Sequence, residues 1–266
     1  MSEAAAPSQA DKAAAFCALH ERAGAFVIAN PWDAGSARML AELGFEALAT
    51  SSGASAGVRG RKDGQLTRAE ALAHAREIVA ATELPVAADL ENGFGESPRE
   101  VAETIRLAAE AGLVGGSIED FTGDKSRPFY EPALAVERIA AAAEVARALP
   151  FRFTLTARCE HFLRGRADLA ATIERLQAYE AAGADVLFAP ALPDLESVRA
   201  ICAALKKPLN FMAGIPGKSF AVAALEGVGV KRISLATSLW RAAMKAAREA
   251  ASEVRSSGSF GYIDRL

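Results

Sequence analysis

The feature that most restricts how this chain folds is an alternation of short apolar, often β-branched runs with long Ala-rich amphipathic stretches. Parallel strands require such spacing, because the connection must return the chain to the same end of the sheet and a helix covers the sheet face on the way. Eight such pairs are counted. The strands read at 26–30, 47–51, 86–89, 114–118, 153–157, 186–189, 209–212 and 232–235. Helices begin near Gly35, Thr67, Ser97, Leu134, Asp168, Leu195, Ser219 and Leu239, several at a Ser, Thr or Asp able to cap a first turn. ELGFEAL, EAGLVGG and AAGADVL recur where a helix ends at Gly and the next strand starts. Eight units with no compositional break predict a single (β/α)8 TIM barrel, with its C-terminal helix, over residues 20–254. Residues 1–19 are read as a flexible N-terminal segment and 255–266 as a flexible tail. A doubly wound open sheet fits less well, because the turn after the first strand reads NPWDAGS and lacks GxGxxG.

Thirty Lys plus Arg face 33 Asp plus Glu, a formal charge of -3, which gives no basic excess to attract nucleic acid or an anionic membrane. Cys17, Cys159 and Cys202 are odd in number and lack a CxxC pair, which argues against a disulfide framework or a zinc site. The opening MSEAAAPSQADKAAAF has no basic segment followed by an apolar core, and no run reaches the roughly 20 apolar residues of a spanning helix. The expected setting is the cytoplasm and the expected partner a small molecule.

In a (β/α)8 barrel the loops leaving the C-terminal strand ends converge on the mouth, so polar residues one to three positions past each strand mark the chemistry. Those positions hold Asn30 and Asp33, Ser51 and Ser52, Asp89 and Glu91, Glu119 and Asp120, Arg158 and Glu160, with Asn210 and Ser238 on the later strands. In VAADLENGFGESP, alternation sends Asp89 and Glu91 to one side of the chain, and Gly93 and Gly95 allow a sharp turn into the next helix. Glu119 brings a third acid to the same rim. Hard carboxylate oxygens suit Mg²⁺, and the Arg158 guanidinium suits either a substrate carboxylate or an ion pair with Glu119 or Glu160. The TSSG segment at 50–53 offers hydroxyls and close amides for a carboxylate or enolate oxygen. If Arg158 faces the mouth, Cys159 points away.

NPWDAGSARMLAELGFEALATSSG, DLENGFG, IED and LTAR stand in order and at suitable spacing over nearly the whole chain. In these motifs the chain resembles the isocitrate lyase/phosphoenolpyruvate mutase superfamily. The resemblance implies an Mg²⁺-dependent barrel, with Mn²⁺ as an alternative, acting on 2-oxo or 2-hydroxy acids as a homotetramer that exchanges its last helix. It implies metal binding by Asp89 directly and by Glu91 and Glu119 largely through water. Substrate contacts fall to Ser51, Ser52, Gly53 and Arg158, with Trp32, Asp33 and Asn210 as further substrate-binding candidates. Asp63, in RKDGQLT, falls where members carry an acid near the metal's outer shell, so Arg158, Asp63 and Glu160 are the catalytic candidates.

The departures matter too. Members that split isocitrate or methylisocitrate carry a Lys-Lys-Cys-Gly-His loop after strand four, whereas this loop reads FTGDKSRPFYEP, with neither Cys nor His. Without that acid, a product that water can protonate is favoured: an enolate released by decarboxylation or retro-aldol cleavage of an oxaloacetate-like or malate-like acid. The mutase type also expects a gating segment of different wording, and the third position of DLENGFG is Glu where many members have Asp. Phosphonopyruvate hydrolysis or mutation and a non-catalytic oxo-acid-binding homologue are the alternatives. The loop is long enough to be a lid, with Lys125 and Arg127 over an anion, or else a surface loop. The base is open among Asp33, Asp63, Glu160 and metal-bound hydroxide.

Overall fold

The computed structural model describes residues 6–265. Its strands are β1 (Phe26–Ile28), β2 (Leu48–Ala49), β3 (Val86–Asp89), β4 (Gly115–Glu119), β5 (Thr154–Arg158), β6 (Val186–Phe188), β7 (Leu209–Met212) and β8 (Arg232–Ser234). They form one sheet in the order β1-β8-β7-β6-β5-β4-β3-β2, every pair parallel. A parallel bridge between Ala29 and Leu48 joins the two edges and closes the barrel. Asn30 reinforces that seam: its amide donates to the Ala49 and Thr50 carbonyls at 3.0 and 3.2 Å, and its Oδ1 accepts from the Leu235 amide at 2.8 Å. All eight expected strands are present, and the fold is a (β/α)8 TIM barrel.

The helices are α1 (Gln9–Glu21), α2 (Ala34–Glu42), α3 (Ser52–Gly57), α4 (Arg68–Ala80), α5 (Pro98–Glu110), α6 (Pro132–Ala148), α7 (Leu169–Ala181), α8 (Leu195–Ala204), α9 (Val222–Gly227) and α10 (Ser238–Ser257). Asp33, Thr67, Ser97, Asp168 and Asp194 each accept an otherwise free first-turn amide, and Glu70 and Glu100 return the bond to Thr67 and Ser97. Seven of the eight expected helix starts therefore lie within about two residues of the observed ones, within the usual fraying of helix ends. The exception is Ser219, whose hydroxyl accepts from the Gly214 amide while α9 begins at Val222.

Two helices were not anticipated. Residues 9–21, inside the segment read as flexible, form α1, capped by Ser8 and Asp11. Its Ala13, Phe16 and Leu19 pack against Phe26, Ile28, Ala47, Ala87 and Val114, closing the N-terminal end of the barrel with an apolar plug. Residues 1–5 of that segment lie outside the described residues. The second is α3, which turns part of the TSSG segment into a helical first turn. At the far end α10 runs past the expected boundary at 254 to Ser257, stops at left-handed Gly258, and is followed by a 3-10 turn at Ile263–Arg265; Leu266 lies outside the described residues.

The main core lies between strands and helices and includes Leu48, Ile78, Ile105, Ile118, Ile139, Leu155, Leu176 and Ile201. Small side chains (Ala49, Ala87, Ser117) line one half of the barrel interior, and Arg158, Phe188, Asn210 and Arg232 line the other, which leaves open space beneath the mouth. None of the twenty residues of α10 is buried. Among the described residues no helix is long and apolar enough to cross a membrane.

Candidate active site

Two cavities meet at Arg158: a narrow one of about 70 Å³ inside the barrel, and a wider one of about 690 Å³ at the mouth. Asp63, Glu91, Glu119, Arg158 and Arg164 line the wider cavity, and Asp89 lines the narrower. The acids and arginine expected to converge therefore do so.

Asp89 ends β3 and is held on both oxygens. Oδ2 accepts from the Ser52 hydroxyl at 2.8 Å and the Ser52 amide at 3.3 Å, and lies 3.6 Å from Arg158; Oδ1 accepts from the Glu91 amide at 3.2 Å. Ser52 thus orients the acid and has its amide engaged by it. Past Asp89 the chain turns through left-handed backbone at Glu91 (φ 49°), Gly93 (φ 82°) and Phe94 (φ 56°), which costs energy at the two non-glycine positions. The buried Arg138 on α6 holds this loop by donating to the carbonyls of Asn92, Gly95 and Glu96, while its guanidinium stacks 4.0 Å from the Tyr130 ring. Arg138 was not singled out from sequence; the available signal was one arginine within the apolar run ALAVERIAAAA.

Arg158 ends β5 and sits among three carboxylates: Glu160 at 2.5 Å, Glu119 at 3.4 Å and Asp89 at 3.6 Å. These anions hold its pKa above the ordinary arginine range against the opposing effect of burial. Glu160 is 0 % exposed and gripped from its other side by Arg164 at 2.8 Å, so it fixes two guanidinium groups and does not face the cavity. The acids at the rim show the opposite strain. Burial, then the charges of Asp89 and Asp63, push Glu91 up to about 8. Burial and Asp89 raise Asp63, and burial above all raises Glu119. The mouth gathers more carboxyl groups than its arginines hold ionised.

The other candidates divide between the cavities and the barrel wall. Asp33 caps α2, accepting from the Ser36 amide at 2.6 Å, and the Trp32 carbonyl accepts from His74; neither residue lines either cavity. Asn210 faces the barrel interior, but its Oδ1 accepts from Arg232 Nε at 2.8 Å and its amide donates to Ser234 at 3.0 Å. Ser51 lines the inner cavity as the residue before α3. A Cβ on Gly53 would stand 2.8 Å from the Thr237 methyl and 3.5 Å from Asp63, so the absent side chain is what lets the α3 turn approach that acid. Asp120 faces outward and accepts from Glu160 N, Tyr179 and Arg175. With Cys159 and His161 it forms the one group of three or more acid, His or Cys donors among the described residues whose ligand atoms all lie within 4.8 Å of one another. Arg175 already neutralises that group, and it lies on the outer side of β5, where alternation placed Cys159. The loop after β4 is a small hairpin, bridged at Phe121 and Phe129, with exposed Arg127 3.4 Å from Glu96.

A closed parallel barrel whose strand ends gather four acids around a buried arginine belongs to the class of barrel proteins that carry a polar small-molecule site at the C-terminal rim. The sequence profile of the phosphoenolpyruvate phosphomutase family matches residues 16–255, and the chain belongs to that family, within the isocitrate lyase/phosphoenolpyruvate mutase superfamily. A solved protein of Burkholderia cenocepacia J2315, provisionally named a lyase/mutase, superposes with TM-score 0.95 at 54% identity, over 96% of this chain and 92% of that one. The oxaloacetate decarboxylase of Chromohalobacter salexigens is 32% identical over 94% of this chain and 88% of its own. The 2-methylisocitrate lyase of Aeropyrum pernix is 30% identical over 83% and 73%. The similarity supports an enzyme that breaks carbon–carbon bonds in small acids.

Proposed function

We propose that this protein is a divalent-metal-dependent carbon–carbon lyase or decarboxylase acting on a small 2-oxo or 2-hydroxy dicarboxylic acid by way of an enolate. The observation that carries this reading is the gathering of Asp89, Glu91 and Glu119, from the ends of β3 and β4, with Asp63, from the segment between α3 and α4, on the cavities that meet at Arg158.

The donor set fits Mg²⁺ or Mn²⁺. It consists of oxygens, and its surplus of carboxyl groups, expressed in the raised Glu91, Asp63 and Glu119, is what a hard dication would allow to ionise. Its oxygens are spread more widely than the Asp120 group, as suits an ion that keeps several waters and takes only one or two carboxylates directly. Asp89 would hold it directly, with Glu91 and Glu119 reaching it through water. Bound there, the ion supplies a Lewis acid to the oxygens of a 2-oxo acid.

The chain's own residues do the rest. Arg158, held by Glu160, orients the substrate and meets negative charge as it develops. Ser51 and Gly53 bring the α3 turn close to the substrate carboxylate. Asp33 is committed to a cap and Glu160 to two arginines, so Asp63 is the side chain placed to move a proton at the mouth, its affinity for that proton raised by burial. The loop after β4 offers no cysteine or histidine to protonate a departing carbanion, which favours an enolate product over isocitrate-type cleavage. The exchanged-helix assembly implied by the resemblance suits α10, whose Met244 is 51% exposed on a helix with no buried residue.

The test is NMR detection of products from oxaloacetate, 2-methylisocitrate and phosphonopyruvate, with Mg²⁺ or EDTA, for the native protein and Asp89→Asn. Pyruvate released from oxaloacetate with Mg²⁺ and lost with EDTA and in the variant is the expected result. Inorganic phosphate from phosphonopyruvate alone would move the assignment to a hydrolase. Ordinary turnover of 2-methylisocitrate with oxaloacetate untouched would overturn the argument from the loop, and binding without any product would mark a non-catalytic homologue.

A further inference from the structure

Arg164 stands in the turn after β5, and nothing in the strand pattern singled it out. Its Nε donates to Glu160 Oε2 at 2.8 Å, its guanidinium lies 3.6 Å from the Phe121 ring centre, and its backbone amide donates to the Glu160 carbonyl at 2.9 Å. Those contacts fix the plane of the group by one edge and one face. Nη1 and Nη2 make no hydrogen bond to the described residues, and the nearest carboxylate oxygen, on Glu119, is 3.9 Å from Nη2. The side chain is 32% exposed and lines the mouth cavity.

Apart from Arg158, the other arginines nearby are committed. Arg138 holds three carbonyls, Arg175 holds Asp120, Arg127 lies against Glu96, and Arg68 reaches Glu100 and Thr104 on α5. Like Arg158, whose Nη atoms also make no hydrogen bond to the described residues, Arg164 presents a fixed, open pair of donors to the mouth, the geometry that binds a carboxylate through two parallel hydrogen bonds. The buried Glu160 sits between Arg158 and Arg164 and holds both on one cavity at a set separation. Two guanidinium groups spaced by a shared anion suit a ligand with an anionic group at each end.

We infer that Arg164 is the specificity residue of this site: it receives the distal carboxylate of the substrate, so the site selects dicarboxylic over monocarboxylic 2-oxo and 2-hydroxy acids. The inference rests on reading the mouth as an oxo-acid site. A phosphonate shares the oxyanion chemistry of a carboxylate and is separated from it by the choice of ligands.

Calorimetric titration of the full chain in Mg²⁺ with malate, lactate and phosphonopyruvate tests it, since malate and lactate differ by the distal carboxylate. The native protein should bind malate about tenfold to a hundredfold more tightly than lactate, the range expected of charge-assisted hydrogen bonds. Arg164→Gln should bring the two affinities together by weakening malate while leaving lactate unchanged, and Arg164→Lys should restore part of the difference. If the Gln variant does not fold, the Lys variant decides, because a structural role would weaken both acids together. A malate preference that survives in the variants overturns the role of Arg164 and leaves the oxo-acid site standing. An Arg164-dependent preference for phosphonopyruvate without one for malate overturns the carboxylate assignment. Failure of the native protein to bind any of the three removes the oxo-acid reading and this inference with it.

Discussion

The two ends of the barrel handle buried charge in opposite ways. At the floor, Arg232 has no carboxylate partner among the described residues; it donates to Asn210, Thr156 and His20, and burial pushes its pKa down to about 9. His20 beside it is pushed down to about 3 by burial and by Arg232, so it stays neutral, its Nδ1 bonded to the Phe16 carbonyl and its ring against Phe16 and Phe26. A lone cation is thus kept among neutral acceptors and sealed by α1. At the mouth, acids outnumber cations, Glu91 and Phe94 hold left-handed backbone, and Arg164 keeps open donors. Charge at the floor has its partners inside the protein, whereas charge at the mouth is arranged for partners that come from outside.

The most severe way to break this contrast is Arg158→Gln. Losing the cation leaves Glu119, Glu160 and Asp89 facing one another, and removal of one partner from a buried ionic group costs about 3–5 kcal/mol. Turnover should fall by about a hundredfold or more, as when a donor to developing charge is removed. Chemical denaturation together with steady-state kinetics would show both losses. Stability near the native value would mean that the mouth acids are not coupled through Arg158.

Phe16→Ala tests the other end. Phe16 is fully buried in the floor cluster, and truncating such a ring costs about 3–5 kcal/mol. Affinity for Mg²⁺ and malate in the folded protein should stay as in the native chain. A parallel loss of affinity would show that the plug also positions the mouth.

How legible each end was follows from the same division. Strand periodicity fixes which side of the sheet a residue faces, so Asp89, Glu119 and Arg158 could be placed at the mouth from alternation and strand ends alone. Helix α1 was not legible, because nothing in ADKAAAFCALHE says that an open barrel floor awaits Phe16 and Leu19. Asp33 and Asn210 were given substrate contacts because they sit next to strand ends or on a strand; whether such a group is free depends on tertiary partners, Ser36 for one and Arg232 for the other. Arg138 and Arg164 lie on a helix and in a turn, where a single arginine reads as ordinary surface. The RxExxxR spacing of Arg158, Glu160 and Arg164 was the one trace of the shared clamp.

Glu160→Gln sharpens the comparison at lower cost. The amide keeps the shape of the side chain but removes the charge that fixes both arginines. Loss of a partner that orients another group costs about 10–100-fold in activity. A positioning role predicts that the loss is shared between kcat and KM and that the pH profile keeps its limbs; disappearance of one limb would make Glu160 a proton carrier instead.

The mildest effect is a pH dependence. In the metal-free protein Glu91 titrates at about 8, above the ordinary 4.5, because burial and then Asp89 and Asp63 oppose its charge. A carboxyl whose pKa is raised by folding binds its proton more tightly in the native state, so the metal-free fold should lose stability as pH rises from about 4.5 toward 8. A dication must displace that proton, so Mg²⁺ affinity should climb by up to about tenfold per pH unit below 8 and level off above it. Glu91→Gln should weaken both trends, leaving the share that the raised Glu119 and Asp63 carry, while acid unfolding stays in place, since His20 and His161, pushed down to about 3 and about 4, must still take protons as pH falls below their ordinary 6.5. Isothermal titration across this range, with melting curves of the metal-free protein, separates the two limbs: the mouth acids give way to base, and the buried histidines, His20 at the floor and His161 beyond β5, to acid. Mg²⁺ affinity independent of pH in the native protein would mean that Glu91 is not among the groups the ion meets.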